Sequence, residues 1–305
     1  MRFSIIIPLY NKAAYIKETL HSLAVQSKLP YELIIVDDKS TDDSLQIVKD
    51  YLKLAPICFK RIRVELIELK KNYGIGYARN IGFSKATGDI VSFLDADDIY
   101  KENLIETAIN VMSLHTINFL VLGIELFPSN RVYPKIDKLK KELTLIKPNV
   151  YRINNPLKLI TSQNFYLLGS NVVLKKTYGE SIKYIEEPII YEGIDYWYRV
   201  LKKMIIKERN TVGLLMGEFL KVREVPGSAS RKKYNHWKEI DYPPVLTRFK
   251  NSKEYYDKRL KGVVSKRWIN HAMSSLNSLS QKIKFIIRYR KIFLNQIHYF
   301  FLHKF

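Results

Sequence analysis

Apolar residues in this chain come in short runs that end in acids or turns. Residues 3–11, Phe-Ser-Ile-Ile-Ile-Pro-Leu-Tyr-Asn, read as a buried strand with a proline at its exit, and residues 15–26 follow with helical spacing. Residues 31–38 repeat the pattern and end in Asp37 and Asp38; residues 39–42 supply a turn and N-cap before a helix over 43–54. A third strand is predicted over 64–69, a glycine turn over 72–76, and a helix over 77–87 that stops at Gly88. The fourth apolar run, from Ile90 to Leu94, drives straight into Asp95, Asp97 and Asp98. Strands alternating with helices predict a parallel sheet. In an open sheet of that kind ligands sit beyond the carboxyl ends of the strands, so Pro8, Asp37, Asp38, Asp95 and Asp97 are delivered to one crevice. Farther along, a helix is expected over 101–114, strands over 118–126 and 168–175, and a helix starting near Glu192.

Asp95 and Asp97, one residue apart at a strand end, can share a divalent cation. Hard carboxylate oxygens suit Mg²⁺ or Mn²⁺, which proteins usually hold with one or two acids while substrate phosphates complete the shell. The implied substrate is a nucleotide diphosphate.

Four motifs occur in order within the first hundred residues: Ile-Ile-Pro-x-Tyr-Asn at 6–11, Val-Asp-Asp-x-Ser-x-Asp at 36–42, Asn-x-Gly-x-x-x-Ala-Arg-Asn-x-Gly at 72–82, and Phe-Leu-Asp-Ala-Asp-Asp at 93–98. This series closely resembles the inverting family 2 glycosyltransferases of the GT-A fold. The resemblance implies an α/β fold with a Rossmann-like, mostly parallel sheet flanked by helices. It also implies that Asp38 contacts a uracil ring, that Asp95 meets the ribose or the metal, and that Asp97 binds the Mn²⁺ or Mg²⁺ bridging the diphosphate. Pro8, Tyr10 and Arg79 would line the nucleotide pocket. The chemistry is transfer from a nucleotide-diphosphate sugar, most readily a UDP-sugar, to a hydroxyl of a glycan or lipid-linked oligosaccharide acceptor, in one inverting displacement.

The sequence departs from the family at two places. Where the family carries Glu-Asp before an aromatic segment, with the aspartate as general base, this chain reads Tyr191-Glu192-Gly193-Ile194-Asp195-Tyr196-Trp197. Aligned on Trp197, the base position falls on Gly193. Glu192 and Asp195, three residues apart on a helix face, remain as candidate bases. Glu192 comes first because it adjoins the lost position and reaches one methylene farther. A catalytically impaired sugar-nucleotide-binding subunit is the alternative. The second departure is Val222-Arg223-Glu224-Val225-Pro226-Gly227-Ser228, where a tyrosine and a histidine are missing, yet Arg223, Ser228, Ser230, Arg231 and Lys232 remain suited to gripping phosphate oxygens. Ser170 and Asn171 are expected beside the acceptor.

Size suits one α/β domain over 1–230, with a nucleotide half at 1–100 and an acceptor half at 101–230, followed by a basic helical extension over 231–305. The single cysteine, Cys58, excludes an internal disulfide and agrees with a reducing compartment. Net charge is +21, and residues 231–305 hold 18 Lys/Arg against 4 Asp/Glu. Drawn as one helix, residues 282–305 place Ile283, Ile286, Ile287, Phe293 and Leu294 on one side and Lys284, Arg288 and Lys291 opposite, a pattern able to lie on an anionic membrane surface or to dock on protein, a second subunit included. With no apolar run long enough to span a bilayer and no signal peptide, a cytoplasmic location is expected, peripheral to the inner face of the cell membrane if that helix binds lipid. A nucleic-acid partner is not expected: charge and aromatics would suit one, but five acids at strand ends would not.

Overall fold

The computed structural model describes residues 1–54, 59–187, 189–208, 211–225 and 232–295. Cys58, Ser228, Ser230 and Arg231, singled out above, lie outside them.

In the nucleotide half the chain runs β1 (Phe3–Leu9), α1 (Ile16–Ala24), β2 (Glu32–Asp37), α2 (Ser44–Lys53), β3 (Arg63–Glu68), α3 (Ile75–Lys85) and β4 (Ile90–Phe93). It continues through β5 (Ile99–Tyr100), α4 (Leu104–Leu114), β6 (Phe119–Phe127), β7 (Arg131–Tyr133), β8 (Leu143–Lys147), β9 (Val150–Ile153), α5 (Pro156–Ile160), β10 (Val172–Lys175), α6 (Glu192–Lys207) and β11 (Val212–Arg223). Four helices close the chain: α7 (Pro244–Arg248), α8 (Tyr255–Ser275), α9 (Leu279–Arg288) and α10 (Arg290–Asn295).

One sheet joins the strands in the order β3-β2-β1-β4-β10-β6-β11-β9-β8, with β5 on β11 and β7 on β6. Parallel pairing runs from β3 to β4 and recurs between β6 and β11; the remaining pairs are antiparallel. The sheet is therefore mixed, its parallel part concentrated in the nucleotide half, because β10 enters antiparallel between β4 and β6. Every residue of β1 is buried, as a central strand covered on both faces requires. Side chains alternate across it: Ile6 joins the core beneath α3, α6 and α8, whereas Ile5 and Ile7 join the core beneath α1, α2 and α4.

Two differences from the predicted elements follow from local packing. Helix α3 begins at Ile75, because Gly74, at φ 95°, turns the chain two residues early. The expected single helix over 282–305 instead starts at Leu279, capped by Ser278, whose hydroxyl accepts from the Gln281 N–H, and α9 ends at Arg288, with Tyr289 as its C-cap, before α10. The side that docks is also different. Phe285 is buried against Trp268 and Tyr289, while Ile283, Ile286, Ile287 and Leu294 stay exposed. Residues 296–305 are outside the description.

Candidate functional site

Strand order brings the acids together. Leu94 N–H bonds Ile6 carbonyl and Asp38 N–H bonds Leu9 carbonyl, so the ends of β4 and β2 flank the end of β1 on either side. At ordinary strand spacing Asp38 and Asp95 then lie on the order of 10 Å apart across the crevice. Pro8 stands past the last β1 residue paired with β4, so its missing N–H breaks no ladder bond between them. Tyr10 is exposed at the rim.

Asp38 is buried and accepts the backbone N–H of Tyr73 at 2.7 Å and of Gly74 at 2.8 Å, which pins the glycine turn to the end of β2. Burial raises its pKa, and those two N–H donors work against the rise. Tyr73 stacks on Tyr77 at 4.5 Å, forming an aromatic wall next to that turn.

Arg79 is the hub of the site. Its guanidinium is almost fully buried and donates to Asp95 Oδ1 and Glu192 Oε1, each at 2.9 Å. Tyr184 and Phe93 lie under it, with ring centroids 5.1 and 6.0 Å away. Burial pushes the Arg79 pKa down, but the charges of Asp95 and Glu192 and the neighbouring Tyr184 push it up further, so the group stays protonated. This close approach needs Gly169, where a Cβ would sit 2.4 Å from the Arg79 guanidinium and 2.8 Å from Asp95. Arg79, expected as a lining of the nucleotide pocket, pairs with two carboxylates at the site.

Asp97 pairs with the ammonium of Lys12, and Arg223 Nε donates to the Asp97 carbonyl at 3.1 Å. Arg223 also reaches Glu18 and bonds Asp98 through its backbone N–H, so it fastens the end of β11 to the acidic turn. Asp98 is buried and turned inward onto Ser170 Oγ; burial, with Asp95 and Asp97 nearby, raises its pKa well above the usual carboxylate range. Ser170 and Asn171 are buried too. Ser170 Oγ accepts the Asp95 N–H, and Asn171 Oδ1 accepts the Leu168 N–H, so both brace the site from behind.

The two candidate bases on α6 part company. Glu192 keeps Oε2 without a partner among the described residues, beside Asp95 through their shared arginine. Asp195 is wholly buried and clamped by Arg199 at 2.8 Å and Arg248 at 2.8 Å, on the side facing α7. A Cβ at Gly193 would meet nothing within 4 Å.

A divalent cation suits what remains free. Asp95 Oδ2 and Asp97 Oδ1 have no partner among the described residues, and a cationic group, the Lys12 ammonium, already sits on Asp97. Among the described residues no cluster of three or more His, Cys, Asp or Glu side chains could cage a metal alone. Two acids that leave the remaining positions to phosphates are the arrangement Mg²⁺ and Mn²⁺ accept. Lys12 was not anticipated from the sequence. Its position gave no signal, since a lysine after a strand is ordinarily solvated.

Residues 4–167 match the model of glycosyl transferase family 2. The putatively named teichuronic acid biosynthesis glycosyltransferase TuaG of Bacillus subtilis is 37% identical over 123 residues, 40% of this chain and 46% of that protein. The poly(ribitol-phosphate) beta-N-acetylglucosaminyltransferase TarS of Staphylococcus aureus is 31% identical over 163 residues, 52% of this chain and 27% of that protein. The chain thus spans less than half the length of these curated relatives. The crystal structure of S. aureus TarS 1–349 with UDP-GlcNAc superposes with a TM-score of 0.65 at 21% identity, covering 97% of this chain and 79% of that one. That of GalNAc-T7 with UDP, GalNAc and Mn²⁺ gives 0.58 at 16%, covering 98% and 57%. With a GT-A fold, acids gathered at its strand ends and a matching family model over more than half its length, the chain belongs to glycosyl transferase family 2.

Proposed function

We propose that this protein transfers a sugar from a UDP-sugar to a hydroxyl of a glycan acceptor during synthesis of a bacterial surface polysaccharide, with inversion and with Glu192 as general base. One observation carries the reading: a single buried guanidinium, Arg79, holds Asp95 and Glu192 together, so the donor side and the acceptor side of a displacement share one anchor. The nucleotide would lie across Pro8, Tyr10 and Asp38, with its diphosphate toward Asp95 and Asp97. Bound there, Mn²⁺ or Mg²⁺ would stabilise the charge that develops on the leaving diphosphate. Lys12 is placed to add a second positive charge.

Glu192 Oε2 takes the proton of the acceptor hydroxyl as its oxygen attacks the anomeric carbon from the face opposite the diphosphate. The bond from that carbon to the phosphate oxygen breaks, and the electron pair leaves on UDP. Asp195 is assigned the other part of the work: it locks α6 to α7 and so fixes the angle at which Glu192 enters the cleft. Because the TarS structure holds UDP-GlcNAc, UDP-N-acetylhexosamines are the first donors to try.

The exposed isoleucines of α9, interleaved with Lys282, Lys284 and Arg288, support contact with an anionic membrane, where a lipid-linked acceptor would be presented. Among the described residues no helix is long and apolar enough to cross a membrane.

The test is thermal stabilisation by a panel of nucleotide sugars with and without Mn²⁺, followed by transfer assays on E192Q. Stabilisation by UDP-sugars that needs the metal, with transfer lost in E192Q, is the expected result. Metal-dependent binding without transfer to any acceptor would favour a silent donor-binding subunit, the reading that Gly193 invites.

A further inference from the structure

Helix α8 carries two guanidiniums, Arg259 and Arg267, that meet no carboxylate among the described residues. They stand two helical turns apart, about 12 Å along the axis. Arg267 donates to the carbonyls of Ser162 and Phe165 at 3.2 and 3.0 Å and lies 4.4 Å from the Tyr166 ring centre. Arg259 reaches Thr161 Oγ1 and Tyr255 Oη and lines a cavity of about 210 Å³ together with Lys138, Lys158 and one acid, Glu142, which is taken up by Lys158. Two other residues of that wall, Ser162 and Gln163, each hold a buried polar atom, Oγ and Nε2, with no hydrogen-bond partner among the described residues.

These groups converge on one kind of ligand. Surplus positive charge, a free hydroxyl and a free amide N–H suit the oxygens of an anion, and buried polar atoms without partners are uncommon in a finished interior. The cavity is smaller than a pocket for a drug-sized molecule, so it suits one charged group and the residue that bears it. It is also connected to the reaction centre. The segment 161–166 that both arginines hold runs on to Gly169, where Arg79 and Asp95 meet.

We propose that this cavity is a second acceptor subsite, which binds an anionic group of the acceptor away from the hydroxyl that is glycosylated. The acceptor is then a polyanionic glycan, its charge carried by phosphodiester or by uronate groups. The inference rests on the reading of the protein as a glycosyltransferase and names the substrate class of its acceptor side.

The experiment titrates the full chain with three oligomers of matched length: a phosphodiester-linked polyol, a uronic-acid oligosaccharide and a neutral oligosaccharide. At least one anionic oligomer binds about tenfold more tightly than the neutral one, more weakly as salt rises, and R259Q loosens it about three- to tenfold. K138Q, at an exposed position, loosens it in the same direction and remains informative if R259Q fails to fold. Preference for the first oligomer assigns phosphate, and preference for the second assigns carboxylate. Equal binding of the neutral oligomer, no binding of any of the three, or unchanged affinity in both variants would overturn the subsite. Stabilisation by a UDP-sugar, measured on the same samples, reports separately on the donor reading, so the two ideas fail by different observations.

Discussion

The two ends of the parallel strands both bury carboxylates, and they treat them in opposite ways. At the amino end Glu32 is fully covered and accepts from Ser4 Oγ at 2.6 Å, from the Gly88 N–H at 3.1 Å and from Arg63 at 2.6 Å, with Thr87 bonded as well. Every lone pair of that acid has a use inside the fold. At the carboxyl end Asp95, Asp97 and Glu192 each hold one side-chain partner and keep one oxygen without a partner among the described residues. Satisfied acids stabilise; partly satisfied ones are available to a ligand. The difference separates an acid used up inside the fold from acids that keep an oxygen open to a ligand.

Substitutions at the two ends are the way to break this contrast. The deepest loss is expected for E192Q, where transfer falls about 10²- to 10⁴-fold because the proton acceptor is gone, while UDP-sugar binding persists. Placing aspartate at Gly193 in that background should restore part of the rate, since the position opens onto free space; no recovery, with the fold intact, would deny that this helix end faces the acceptor. D97N comes next. It should lower transfer about 10²- to 10³-fold and abolish the Mn²⁺-dependent part of UDP stabilisation, with little change in melting temperature.

R79M leaves two carboxylates without their buried cation and should destabilise the protein by about 3–5 kcal/mol in urea unfolding, as well as ending activity. At the other strand end, E32Q should cost about 1–3 kcal/mol and leave turnover per folded molecule unchanged; a turnover loss as deep as that of D97N would erase the distinction. Its pH dependence has a definite sign. Burial alone would raise the Glu32 pKa, but the bonds from Ser4, Thr87 and Gly88 overcome that and lower it below 4.5. The folded state therefore releases this proton more readily than the unfolded chain, so the stabilisation is present above about pH 4.5 and fades as pH falls through the folded value. The stability gap between wild type and E32Q should narrow correspondingly in acid. The smallest effect is expected on α9, where I283E with I287E should weaken binding to anionic vesicles several-fold and spare activity on a water-soluble acceptor.

Much of the nucleotide half was legible in advance, and for a simple reason. Strand, turn and helix there alternate over short distances, β1, β2 and β4 are buried along their whole length because both faces are covered, and acids follow the last apolar residue of β2 and of the β4 run. Position in the sequence equals position in the site. The acceptor side has no such rule. Glu192 and Asp195 share a helix and a charge, yet one shares Arg79 with Asp95 and the other is sealed by Arg248 from a helix some fifty residues farther on. The apolar pattern of the last helices was recognisable too, but Trp268 and Tyr289 selected Phe285 as the buried contact and left the isoleucines outside.

The sequence by itself determined the parallel strands, the order of the motifs and the set of carboxylates available for chemistry, because these depend on periodicity and on residues close together in the chain. Only the tertiary structure decided which of those carboxylates stay free. Whether an acid acts or merely braces depends on which cation reaches it, and Arg79, Lys12 and Arg248 come from separate parts of the chain that packing alone brings to Asp95 and Glu192, to Asp97 and to Asp195.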